Sequence, residues 1–200
     1  MPRTPAFERD EVLAEAMTVF WSQGYNRTSM RDLTHATRLN PGSLYAAFGN
    51  KQGLFLESVE FYSRALRREA EAVFGGNGNA AARIRRFFDN LLDGDRRDAD
   101  SNRDSRGCLL INTLIEAPAD EPELRRRAGE ALGYVEGRFA EVLREGQADG
   151  SIRATVPPER LARLLMTGIF GLRVYARMPD GQLHVHEIVD TLLEGVFENG

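Results

Sequence analysis

The chain has 200 residues, of which 42% are hydrophobic and 28% charged, and a formal net charge of −4. This is a globular balance in a chain too long to rely on disulfide staples. The acidic balance excludes a general basic coat for nucleic acid but leaves room for a local basic face. The single cysteine, Cys108, excludes both an internal disulfide and a Cys/His zinc set, and suggests a reducing, cytoplasmic setting.

Apolar residues recur at helical spacing almost throughout. Val12, Leu13, Ala16, Val19 and Phe20 define one face of a helix that opens on Asp10 and Glu11 and stops at Gly24. Ser29 and Asp32, three apart, resemble a capping box for a short helix to about Ala36. Asn40-Pro41 is a second start signal, with Asn40 as N-cap and Pro41 in the first turn. A long helix is predicted from about Asn50 to Phe74, ended by the Gly75-Gly76-Asn77-Gly78-Asn79 linker. Further helices are predicted at Ala80 to Leu92, Cys108 to Glu116, Glu121 to Gln147, Glu159 to Met178 and His186 to Glu198, with a polar loop from Asp93 to Arg106. No alternating run of strand length occurs, so the fold class is all-α: a three-helix N-terminal domain over 1–52 and a larger helical domain over 53–200. No segment approaches the roughly 20 apolar residues of a bilayer span, and charge interrupts the N-terminus where a secretory signal would need an apolar core. No membrane partner is expected.

Two short helices joined by a four-residue turn, after one longer helix, are what a helix-turn-helix reader of DNA requires. The second short helix begins Asn40-Pro41-Gly42-Ser43, where Gly42 allows close approach and Asn40 and Ser43 offer hydrogen bonds, while Leu44 and Phe48 can anchor the opposite face. Tyr45 combines a packing ring with a hydroxyl able to reach a phosphate. Of 26 basic residues, 25 are Arg; the only lysine, Lys51, falls at the start of the long helix, where its ammonium and the helix N-terminus can attract one phosphate. Residues 1–51 carry six basic and five acidic groups, so the negative charge lies in the remainder.

Thr28-Ser29-Met30-Arg31-Asp32-Leu33, followed at the right spacing by Gly42-Ser43-Leu44-Tyr45-Ala46-Ala47-Phe48-Gly49-Asn50-Lys51, resembles the DNA-binding domain of the TetR family of bacterial transcriptional regulators. Gly107-Cys108-Leu109-Leu110-Ile111-Asn112 is similar to a stretch of one subgroup. The resemblance implies a homodimeric repressor that leaves a pseudo-palindromic double-stranded operator when a small-molecule effector binds. It also implies Thr28 as a phosphate-binding cap, Asn40, Gly42, Ser43 and Ala46 as the recognition surface, and Tyr45 and Lys51 as phosphate clamps. Arg38 stands where the family usually has glycine, and joins the DNA-binding set; a left-handed turn there is strained for a side chain. Thr34 stands where alanine is common.

Other readings are bland by comparison. Thr28 and Ser29 are also ordinary helix caps. Cys108, beside Leu109, Leu110 and Ile111, is either a small buried hydrophobe or, with Arg106 nearby in sequence, a thiol that makes this an oxidant- or electrophile-responsive regulator. His184 and His186 are poorly spaced for a metal, and no metal or other cofactor is expected. Nucleophile-elbow, Walker and dinucleotide motifs are missing, so no enzyme is expected. A helical scaffold without DNA binding would have no use for residues 40–51. Helical phase nominates Phe61, Phe88, Leu92, Cys108, Asn112, Tyr134, Met166 and Phe170 for an effector pocket. It nominates Leu161, Leu165, Gly168, Leu172, Leu192 and Val196 for a dimer interface formed by the last two helices.

Overall fold

The computed structural model describes residues 8–97 and 106–197. Nine α-helices follow one another among them: α1 (Arg9–Gln23), α2 (Met30–Thr37), α3 (Pro41–Phe48), α4 (Lys51–Phe74), α5 (Ala80–Arg97), α6 (Leu109–Glu116), α7 (Pro122–Asp149), α8 (Pro158–Tyr175) and α9 (Val185–Glu194). The sole β pairing among the described residues is an isolated bridge between Ile152 and Phe197. Three boundaries differ from expectation. Helix α5 runs on to Arg97 through what reads as a polar loop, whose residues 98–105 lie outside the described ones. Helix α8 stops at Tyr175, and α9 at Glu194 where Gly195 follows. No helix among the described residues is long and apolar enough to cross a membrane.

The chain divides into two compact units. The first comprises Met1–Leu66 and Cys108–Ala131, the second Arg67–Gly107 and Leu132–Gly200. The division falls within α4 and within α7, whose N-terminal parts belong to the first unit.

In the first unit, one stripe of α1 (Val12, Leu13, Ala16 and Phe20) is buried together with Leu33 of α2, Leu44 and Phe48 of α3, and Leu54, Phe55 and Val59 of α4. The Phe20 and Phe55 rings meet edge-on at 4.8 Å, and Tyr25 lies 4.9 Å from Phe55. Each of these phenylalanine side chains contributes about 2–3 kcal/mol by leaving water. Trp21 meets the Tyr62 ring edge-on at 5.3 Å, and the Tyr62 hydroxyl donates to Cys108 Sγ at 3.7 Å. Helix α6 is buried through Leu109, Leu110 and Ile111, and α7 through Leu124 and Ala128.

The core of the second unit is built on Phe74, Phe87, Phe88 and Phe139, with Phe139 4.9 Å from Phe74 and 5.0 Å from Phe87. Leu161, Leu165, Ile169 and Leu172 of α8 and Val185, Val189 and Leu193 of α9 are buried with them. Gly168 brings α8 and α9 into contact, since a Cβ there would stand 2.4 Å from Leu192 Cδ2.

Candidate nucleic-acid interface

The reading head is assembled from local capping chemistry. Ser29 Oγ accepts from the Asp32 amide at 3.2 Å, while Asp32 Oδ2 accepts from the Ser29 amide at 2.9 Å and from its hydroxyl at 2.7 Å. These bonds from Ser29 hold the Asp32 carboxyl below its ordinary pKa. The capping box expected from the sequence is therefore present. Helix α2 ends at Arg38, whose φ of 56° and ψ of 21° are left-handed. The turn keeps its ordinary geometry despite the arginine, at a cost of about 1–2 kcal/mol. Arg38→Gly should accordingly raise unfolding stability by about 1 kcal/mol; an unchanged or lower urea midpoint would contradict this.

Asn40 Oδ1 then accepts from the Ser43 amide at 2.9 Å, with Pro41 opening α3. Leu44 and Phe48 are 1% and 7% exposed and fix the inner side of α3. On the outer side Asn40, Gly42, Tyr45 and Ala46 are exposed and Ser43 half-buried, and the Tyr45 hydroxyl has no hydrogen-bond partner among the described residues. Arg31, Thr34, His35, Arg38 and Asn40 line an open depression beside them. One short face thus offers amide, hydroxyl and guanidinium groups at the start of a helix, the inventory needed to meet base edges and phosphates.

Two residues expected on this face have inward work. Thr28 is buried, and its hydroxyl donates to the Gly24 carbonyl at 2.8 Å, so its side chain locks the α1–α2 turn and does not lie on the surface. Lys51 Nζ donates to the Tyr25 and Thr28 carbonyls at 3.0 and 3.2 Å and sits 4.3 Å from the centre of the Tyr25 ring. Two of the three ammonium protons therefore hold the start of α4 to that turn.

The turn also touches the end of α6 and the start of α7. The Tyr25 hydroxyl donates to Glu121 Oε1 at 2.9 Å and Asn26 Nδ2 to the Glu116 carbonyl at 3.1 Å. Burial first, and then the Glu121 carboxylate, push the Tyr25 phenol well above its ordinary pKa, so it remains a donor. Neither Tyr25 nor Asn26 stood out in the sequence, because a turn residue's distant partners leave no local signal. Gly53 was equally silent. A glycine in the first turn of a helix is a weak mark of close packing, and here a Cβ would stand 2.1 Å from the Phe48 carbonyl oxygen.

The effector-pocket candidates are distributed over both units. Phe61, Cys108 and Asn112 belong to the first, where Asn112 joins Phe20, Tyr25, Phe55, Leu109 and Glu116 around a small cavity. Phe88, Leu92 and Met166 are buried in the second unit and Phe170 is half-buried. Tyr134 does not point inward: it is 37% exposed, donates to Glu71, and has the Arg67 guanidinium 5.1 Å from its ring centre. The candidate dimer residues also need correction. Leu161, Leu165, Leu172 and Val196 are 4% exposed or less in the protomer itself, because both stripes of α8 are apolar and this one fills its own core. The outward stripe carries Leu164, Gly171 and Val174, whereas the candidate Gly168 is turned to Leu192 of α9 in the same protomer, and beside α9 an open groove is lined by Tyr175, Ile188, Thr191 and Leu192.

A three-helix head with an exposed polar recognition helix, in a chain otherwise built of helices, defines a helix-turn-helix transcriptional regulator. The chain belongs to the TetR family. Residues 12–58 match the bacterial regulatory proteins of the tetR family, and residues 80–192 match the tetracyclin repressor-like C-terminal domain. It is 28% identical over 177 residues to the HTH-type transcriptional repressor ComR of Escherichia coli (strain K12), covering 88% of this chain and 82% of that protein. It is 25% identical over 199 residues to the HTH-type transcriptional repressor DhaR of Mycobacterium sp. (strain GP1), covering 99% and 93%. Among solved structures, a cysteine mutant of the TetR family regulator CifR complexed with 26-bp double-strand operator DNA aligns with a TM-score of 0.81 at 33% identity, covering 96% of this chain and 98% of that one.

Proposed function

We propose that the protein is a homodimeric cytoplasmic repressor, without catalytic activity, that binds a pseudo-palindromic operator in double-stranded DNA and releases it when a small-molecule effector binds. The observation that carries this is α3, whose inner face is anchored by Leu44 and Phe48 while Asn40, Gly42, Tyr45 and Ala46 stay exposed. Tyr45 and the third ammonium proton of Lys51 are the phosphate donors, and Arg38 adds a charge at the turn. The repressor names of ComR and DhaR and the operator complex of CifR support the same reading. The outward stripe of Leu164, Gly171 and Val174 is the surface assigned to the second copy, since a small residue such as Gly171 lets helices approach closely and twofold symmetry then places one α3 per half-site.

Effector control runs through the first unit, which holds α6 and the start of α7 together with the reading head. A ligand that displaces α6 pulls on Asn26 and Tyr25, and hence on Lys51. It needs to prefer the DNA-incompetent arrangement by about 1–3 kcal/mol. Selection of duplexes from random-sequence DNA should enrich a palindrome with half-sites about one helical turn apart. Absence of any enriched sequence at moderate salt would refute DNA reading.

A further inference from the structure

Helix α3 is eight residues long and buries only two side chains, Leu44 and Phe48. These are four apart and lie on one line along the helix, so the burial of these two side chains does little by itself to fix the roll of α3 about that line. Beyond the short turns at its two ends, a side-chain contact that resists this roll comes from the first residue of α1. Arg9 Nη2 donates to the Ala47 carbonyl at 3.3 Å, near the C-terminal end of α3, where a cation also suits the helix dipole. Its guanidinium lies 4.4 Å from the centre of the Phe48 ring. The same guanidinium grips Glu57 of α4, Nε to Oε2 at 3.1 Å and Nη2 to Oε1 at 2.6 Å. One planar group thereby joins α1, the end of α3 and α4.

We propose that Arg9, held by Glu57, is a positioning residue that sets the roll of the recognition helix and so the operator specificity of the protein. The inference rests on the DNA-binding reading above. It assigns Arg9 no contact with DNA. Both partners of the pair are about 40% exposed, so its contribution to overall stability is small. Its value is geometric, since base contacts depend on where α3 points while phosphate contacts tolerate more.

The experiment compares wild type, Arg9→Ala, Arg9→Lys and Glu57→Gln on two duplexes, the one enriched by selection and a scrambled duplex of equal composition, each across a salt series. Glu57→Gln is the most telling variant, because it removes a negative charge from the protein, so that simple electrostatics predicts binding to an anionic duplex that is unchanged or tighter. The positioning role predicts about tenfold weaker binding to the enriched duplex, the size of roughly one lost base contact, with scrambled binding as tight as in wild type or tighter. Arg9→Lys keeps the charge but lacks the planar fork, and should resemble Arg9→Ala on the enriched duplex. The salt slope should not change. Glu57→Gln binding the enriched duplex as tightly as wild type overturns the proposal. So does an equal loss on both duplexes for Arg9→Ala with a salt slope lower by about one, the mark of a phosphate ligand. Failure to enrich any duplex overturns the DNA-binding reading, and this inference with it.

Discussion

Replacing Gly53 by alanine should weaken operator binding about a hundredfold while leaving the protein helical. Helix propensity alone gives the opposite sign, since alanine is favoured over glycine by about 1 kcal/mol within a helix. The difference lies in the α3–α4 corner. Gly49, at φ 77°, ends α3, and Asn50 Oδ1 accepts from the Gly53 amide at 2.8 Å, so two residues suffice to turn the chain. This corner brings the Phe48 carbonyl to 2.1 Å from where a Cβ on Gly53 would stand. The obstruction is backbone against backbone and cannot be relieved by a rotamer change. The end of α3 has to move by about an ångström, costing about 1–3 kcal/mol of overpacking and misaligning the recognition surface. Unfolding in urea and titration of the selected duplex measure the two effects. A more stable Gly53→Ala protein with full operator affinity would show that the corner has slack.

Lys51→Met should have the second large effect, and on two separate readouts. It keeps the aliphatic stem but removes the ammonium that caps the Tyr25 and Thr28 carbonyls and lies against the Tyr25 ring. Charged hydrogen bonds of this kind contribute about 1.5–3 kcal/mol, and the cation–ring contact about 0.5–1 kcal/mol. A stability loss of about 2–3 kcal/mol is expected, a large share of the roughly 5–15 kcal/mol that holds a domain together. Binding should weaken on all duplexes alike, and the slope of log K against log salt should fall by about one if the third proton meets a phosphate. Unchanged stability would rule out the inward strut, and an unchanged slope would rule out the phosphate contact. Arginine should not substitute, because a flat fork cannot serve two carbonyls and a ring from the position of a compact ammonium.

The all-α class and the reading head were legible because their signals are local. Ser29 with Asp32, Asn40 with Pro41, and Leu44 with Phe48 are each settled within four residues, and each behaves in the structure as its spacing implies. The Arg38 strain was likewise readable from a side chain standing in a glycine position. What was not legible depends on partners far away in sequence. Arg9 finds Glu57 forty-eight residues on, and Tyr25 finds Glu121 ninety-six residues on. No periodicity announces such pairs. Helix α8 misled for a different reason: both its stripes are apolar, so phase alone could not say whether Leu161, Leu165 and Leu172 or Leu164 and Val174 face outward. Tyr134 was nominated for its polar atom, and that atom instead found Glu71 across from it.

The contact of Trp21 with Tyr62 gives the unmodified protein an optical readout. The chain has one tryptophan, and that indole sits edge-on against a tyrosine of α4 whose hydroxyl reaches Cys108 at the entry to α6. Tryptophan emission therefore comes from one known place, where α1 meets α4 beside the entry to α6. Compound libraries can be screened by selectively excited tryptophan fluorescence without a label, and a shift in that emission reports a change in the surroundings of Trp21.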